Sequence, residues 1–217
     1  MSENDPDNSD RPQLNHAVIL KNTVTAQDHA AGPKEAPVTL LEYGNFECID
    51  CGRAHPVIKE VQRLLGDNLR FVFRHFPNVR THPHALRAAE ASEAAAAQGK
   101  FWEMHDELFT HQKALADPDL LQYARRIRLD AERFARDMTG NNFLKNIEAE
   151  YNRSLFDEHV TGTPTFYVNE VRYTGRSNVE SLLAAIKEAD VDGRIRLPER
   201  AGRIRNVLGR LRRSSNA

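Results

Sequence analysis

Cysteine is nearly absent: the chain of 217 residues has two, Cys48 and Cys51. A pair that sparse excludes the disulfide framework by which small secreted modules compensate for a thin core. A chain this long buries a core without staples, so chemistry is the better reason for the pair. Also missing is any apolar run near the ~20 residues needed to cross a bilayer, so the chain is not expected to span a membrane. The beginning, MSENDPDNSDRPQ, has no basic segment followed by an apolar one. No secretory signal is visible there, and a cytoplasmic location is expected. Residues 1–13 lack large apolar side chains and read as a disordered acidic N-terminus.

What charge there is lies unevenly. The formal total is −1, yet from Arg194 to Ala217 eight arginines face one acid, a net +7, which leaves −8 on the remainder. A bulk nucleic-acid binder carries its basic surface on the folded body, so no nucleic-acid partner is expected. Within the basic segment Ile204, Val207, Leu208 and Leu211 follow i, i+3, i+4, i+7. Residues 192–217 therefore read as a basic amphipathic tail, a candidate for peripheral contact with an anionic membrane or an acidic protein surface.

Between these ends, residues 14–191 read as one domain. LNHAVILKNTV contributes a short strand, HAAGPKEAP is punctuation, and VTLLEYGNF reads as a buried strand. From Cys48 the apolar residues Val57, Ile58, Val61, Leu64 and Leu65 recur at helical spacing until Gly66, with a kink expected at Pro56. LRFVFRHFP alternates as a second strand, and strand, helix, strand implies a parallel pair. Residues 81–155 read as an inserted helical subdomain of amphipathic segments, with Phe101, Trp102, Met104 and His105 packing its core. TFYVNEVRY then reads as a hairpin turning at Asn169 and Glu170, and SNVESLLAAIKEADV as a helix capped by Ser177 or Asn178. The histidines of RHFPNVRTHPHA read as turn and cap residues.

Three chemistries compete for Cys48 and Cys51. Zinc needs four ligands, and His82 and His84 would have to complete a set of which the cysteines are half. A structural disulfide closing so short a loop removes little entropy from the unfolded chain. The redox reading places Cys48 at a helix N-terminus, where the dipole and free N–H groups stabilise a thiolate, with Cys51 one turn in as the resolving thiol.

Taken together, VTLLEYGNFEC, the second cysteine with GRAHPVIKEV, RFVFRHFP, HPHALRAAEA, KFWEMHDELF and GTPTFYVN resemble the DsbA-like thiol–disulfide oxidoreductases of the thioredoxin superfamily, over about residues 37–186. The resemblance implies an α/β thioredoxin fold with a helical insertion and a protein-disulfide oxidoreductase that exchanges disulfides with protein or small-molecule thiols and disulfides, without metal or organic cofactor. It makes Cys48 the attacking thiol, Cys51 the resolving thiol, and Glu42 the buried acid that helps to move the proton of Cys51. Pro164 matches the cis-proline facing the cysteines, and the backbone of Thr163 the surface that pairs with an extended substrate.

This sequence departs from the family between its cysteines, where Ile49 and Asp50 replace the usual Pro-Tyr or similar pair. Glu47 and Asp50 would set two acids beside Cys48 and disfavour its thiolate, partly offset by Arg53 or His55. A poise more reducing than that of strongly oxidising relatives is therefore expected. The readings from other classes are a zinc-binding module using the same cysteines and a non-catalytic thioredoxin-fold adaptor docked through the tail.

Overall fold

Two short strands precede the cysteines, Leu14–Ile19 (β1) and His29–Ala31 (β2), followed by Val38–Gly44 (β3). The structure, a computed structural model, describes residues 14–140 and 142–195; the acidic N-terminus and residues 196–217 of the basic tail lie outside them. Helix α1, Ile49–Leu65, leads from β3 to Leu69–His75 (β4). Five helices follow: Ala85–Ala96 (α2), Phe101–Thr110 (α3), Asp117–Arg126 (α4), Ala131–Thr139 (α5) and Leu144–Phe156 (α6). Thr165–Val168 (β5), Val171–Tyr173 (β6) and Val179–Ala189 (α7) complete the described chain.

The sheet runs β1-β6-β5-β3-β4-β2. β3 and β4 pair in parallel, as a strand–helix–strand unit requires. The other neighbours are antiparallel. Because side chains alternate along a strand, β3 divides its residues between two cores. Val38 and Leu40 join Phe71, Phe73, Phe166 and Val168 under α1. Leu41 and Tyr43 join Val72 and Tyr167 on the opposite face. Glu42 shares the parity of Leu40, so an acid is driven into the apolar layer beneath α1.

Local signals set the element ends. α1 buries Cys51, Ala54, Ile58, Val61, Leu64 and Leu65 and ends at Gly66, whose φ of +50° suits glycine. Pro56 lies within the continuous helix. The β5–β6 turn is made by Asn169 and Glu170 at φ 44° and 69°, a primed two-residue hairpin geometry. Asn178 rather than Ser177 caps α7, accepting from the Ser181 N–H. α2 buries a run of alanines, Ala88, Ala91 and Ala95 among them, whose small side chains let α3 approach closely.

Two expectations need correction. HAAGPKEAP is not wholly punctuation: His29–Ala31 forms an edge strand paired with Phe71–Phe73. Three residues ahead of a Gly-Pro step are too short to show alternation. His75 is no turn residue either: it is the last residue of β4, 3% exposed.

Candidate functional site

The loop from Gly44 to Cys48 is tied before the helix begins. The Asn45 side chain accepts from the Glu47 N–H at 2.9 Å and its main-chain oxygen accepts from the Cys48 N–H at 3.1 Å. Cys48 therefore sits in the N-cap position with extended backbone, φ −75° and ψ 124°. Its carbonyl accepts from the Gly52 N–H at 3.0 Å, which starts the helix. Cys51, one turn in, is 1% exposed, and both cysteines are free thiols.

Both cysteines are buried, Cys48 with 7% of its surface exposed, and hydrogen bonding separates the two sulfurs. The Cys48 thiol is pulled down to about 5, chiefly by the hydrogen bond that the Cys51 thiol gives its sulfur, against the cost of partial burial. Burial pushes the Cys51 thiol well up, and holding that hydrogen bond adds to the effect. An outer thiolate and an inner thiol are the division of labour that thiol exchange requires.

Beneath them lies Glu42, 2% exposed, whose Oε1 has no hydrogen-bond partner. Burial raises it to about 8; the negative charge of Cys48 adds to the rise and hydrogen bonding with Cys51 opposes it. A carboxyl balanced near neutral pH beside a buried thiol is suited to exchanging a proton with it. Across the site, the Thr163–Pro164 peptide bond is cis, and the Thr163 carbonyl oxygen lies 3.3 Å from Cys48 Sγ. The structure thus brings together Cys48, Cys51, Glu42 and the Thr163–Pro164 segment.

It does not bring Glu47 and Asp50 to bear as free anions. The Glu47 carboxylate turns to His84, accepting from its backbone N–H at 2.6 Å and lying 3.0 Å from its Nδ1. Asp50 points outward and pairs with Arg53 at 3.0 Å, both side chains more than 60% exposed. The sequence places both acids within a turn of Cys48 but does not show these partners, which hold each carboxylate away from the sulfur. Each acid thus has a partner that offsets its charge beside Cys48.

Sequence reasoning passed over Gln112, just beyond α3. Its Nε2 donates to the main-chain oxygens of Phe46 and Cys48, both at 2.8 Å, and so clamps the turn before α1 to the helical subdomain. The amide occupies the space where a Cβ on residue 52 would stand, which explains Gly52. The only sequence sign of this contact is a glycine one residue after a cysteine, too common to read. His55 supports the helix: its Nε2 lies 3.0 Å from Asp106 Oδ1 and its ring stacks on Phe109.

Among the described residues, two groups could gather around a metal ion, His29–His75–Glu93 and His55–His105–Asp106. Neither contains a cysteine. His82 and His84 are engaged instead with Asn45 and Glu47, so the zinc set imagined around Cys48 and Cys51 is not assembled.

Comparison with known proteins agrees with this geometry. A family model described as thioredoxin matches residues 24–188. A thioredoxin-like oxidoreductase from Silicibacter pomeroyi DSS-3 superposes with a TM-score of 0.67 at 27% identity, over 76% of this chain and 93% of that one. The alpha-DsbA1 protein of Wolbachia pipientis gives 0.68 at 18% identity, over 78% and 94%, a likeness of fold. Na(+)/H(+) antiporter NhaA 3 of Salinispora tropica is 46% identical over 172 residues, 78% of this chain and 26% of its own. The chain spans about a quarter of the length of such curated relatives.

Proposed function

Since the chain belongs to the thioredoxin family and has the α/β fold of its DsbA-like thiol–disulfide oxidoreductases, we propose that it exchanges disulfides with protein or small-molecule substrates through Cys48 and Cys51. The observation that carries this is one arrangement: a Cys48 sulfur at the mouth of α1, 3.3 Å from the Thr163 carbonyl, above a buried Glu42.

The chemistry balances as follows. The Cys48 thiolate attacks one sulfur of a substrate disulfide, forming a mixed disulfide and expelling the other sulfur as a thiolate. Cys51 gives its proton to Glu42 and attacks Cys48, releasing the second substrate thiolate. The substrate gains two electrons and the enzyme becomes the disulfide; the reverse sequence oxidises a substrate dithiol. The charge on Cys48 helps to keep Glu42 protonated. Once Cys48 is in the mixed disulfide that charge is gone, and Glu42 ionises more readily at the step that needs an acceptor.

The shift of Cys48 to about 5 lies between the ~7 of thioredoxin and the ~3.5 of DsbA. A stabilised thiolate favours the reduced pair, so this ordering supports a poise between the two, on the reducing side of the strongest oxidants. Ile49, 66% exposed beside Cys48, offers an apolar contact for a polypeptide substrate.

The name of the antiporter relatives speaks of ion transport. No helix among the described residues is long and apolar enough to cross a membrane, and the part that matches the thioredoxin model, residues 24–188, carries both cysteines. The test is reduction of insulin disulfides by dithiothreitol, catalysed by the wild type and lost in Cys48→Ser. Equal rates for the two proteins would reject the assignment and leave an adaptor role.

A further inference from the structure

At the edge of the sheet, away from the cysteine pair, a cavity of about 760 Å³ opens between β2, β4, α2 and α6; its walls include His29, His75, Glu93 and Glu150. The strand register explains the first two. His29 pairs with Phe73 across β2 and β4, and His75 lies two residues beyond Phe73, so both imidazoles rise from the same face. α2 brings the Glu93 carboxylate over them. His29 Nε2 and His75 Nε2 lie 2.6 and 2.8 Å from the same oxygen, Glu93 Oε1. All three donor atoms fall within 4.8 Å of one another.

The rings are held in place. His29 stacks on Phe101 with centroids 3.6 Å apart and planes 7° apart, and His75 stands edge-on to Phe73 at 5.6 Å. Metal–ligand distances of ~2.0–2.2 Å in tetrahedral geometry separate ligand atoms by roughly 3.3 Å. The two short contacts need to open by less than ~1 Å to reach that spacing, a change that small side-chain rotations supply.

We propose that His29, His75 and Glu93 form a binding site for a divalent first-row transition metal of the zinc class, independent of the cysteines, with a fourth ligand position facing the cavity. Two imidazoles and one carboxylate suit such an ion, whereas calcium and magnesium take oxygen donors. The formal charges lining the cavity balance, Lys21, Arg74 and Arg153 against Asp28, Glu93 and Glu150, and the carboxylates lie nearest the imidazoles. Glu150 Oε2 accepts from the His75 N–H at 2.8 Å, adding a second carboxylate at the rim. The nearby cation Arg74 is matched by Asp28, through hydrogen bonds of 2.6 and 3.1 Å. In the other cluster a cation already occupies the candidate ligand itself, because Lys59 Nζ is 2.7 Å from Asp106 Oδ2.

The test uses the untagged full chain carrying Cys48→Ser and Cys51→Ser, so that thiols cannot bind the ion. Calorimetric titration with zinc chloride should show one ion per chain, and cobalt(II) should develop the visible absorption of a four-coordinate nitrogen–oxygen site. Adding Glu93→Gln, or His29→Gln on the short edge strand, should weaken binding at least ~10-fold. Absence of saturable binding in the cysteine-free chain overturns the proposal. So does binding that survives both substitutions, or that is lost in His55→Gln while His29→Gln retains it.

Discussion

The sulfur of Cys48 lies 3.3 Å from the main-chain oxygen of Thr163, joining positions 115 residues apart in the chain. One contact thereby sets the reactive sulfur against the segment that carries Pro164, while Cys51 stays inside. Cys51→Ser should consequently stop turnover after the first attack and accumulate a mixed disulfide with substrate, seen by non-reducing electrophoresis and intact mass. Cys48→Ser should trap nothing. Trapping by both variants alike would show that Cys48 is not the attacking sulfur.

The thiolate of Cys48 should titrate with a midpoint near 5 by ultraviolet absorbance, against ~8.5 for a free thiol. Since the hydrogen bond from Cys51 is the largest cause, Cys51→Ala should raise the midpoint by about 1–2 units. Asp50→Asn should move it by less than ~0.5 unit, because Asp50 is exposed and already paired with Arg53. A large downward shift in Asp50→Asn would restore the acid as a determinant.

Glu42 makes stability depend on pH. Its folded-state value of about 8 lies above the ~4.3 of an unfolded glutamate. Between those values the folded chain holds the extra proton. The contribution is intact below the unfolded value and is lost as pH rises through 8, at up to ~1.4 kcal/mol per pH unit. Glu42→Gln should flatten this slope in urea denaturation of the reduced protein and be the more stable chain at pH 8. It should also slow release of the mixed disulfide without slowing the first attack; unchanged release kinetics would remove Glu42 from the proton path.

Asp28 and Arg74 form a buried pair, each side chain 7% exposed, with Arg74 also donating to Tyr43 Oη and to the carbonyls of Asn22 and Thr23. Asp28→Asn leaves the guanidinium without its counter-charge and should cost about 3–5 kcal/mol in urea denaturation. Burial alone would raise the Asp28 carboxyl, but Arg74 holds it below its ordinary value. The pair's contribution is therefore present above pH ~4 and lost as pH falls below it.

Gln112→Ala should weaken the active-site turn by about 1–3 kcal/mol, since the Phe46 and Cys48 carbonyls lose a donor. Native-state hydrogen exchange is the suitable measurement, with protection lost first at the start of α1. Uniform loss throughout the domain would mean that the clamp is not local.

The parts legible in the sequence are those written in short-range pattern. The spacing of Ile58, Val61 and Leu65 gives α1, the alternation of Phe71 and Phe73 gives β4, and Asn169–Glu170 marks its hairpin. Cys48, Cys51, Glu42 and Pro164 were found because their spacing and flanking motifs resemble a family. What escaped depends on partners distant in the chain. Nothing near Glu47 announces His84, 37 residues on, and nothing near His29 announces Glu93, 64 residues on. The effect assigned to Glu47 and Asp50 left these partners out for this reason: charge is visible in sequence, compensation is not.

The helices between β4 and β5 have a consequence for synthesis. A ribosome has delivered Cys48 and Cys51 long before Thr163 leaves the exit tunnel, so for over a hundred residues the nascent chain carries vicinal thiols without their docking edge. On the proposed function, a chain cut before β5 keeps both thiols but lacks the Thr163 backbone beside them, so it should react with disulfides without the substrate pairing that the full sheet offers.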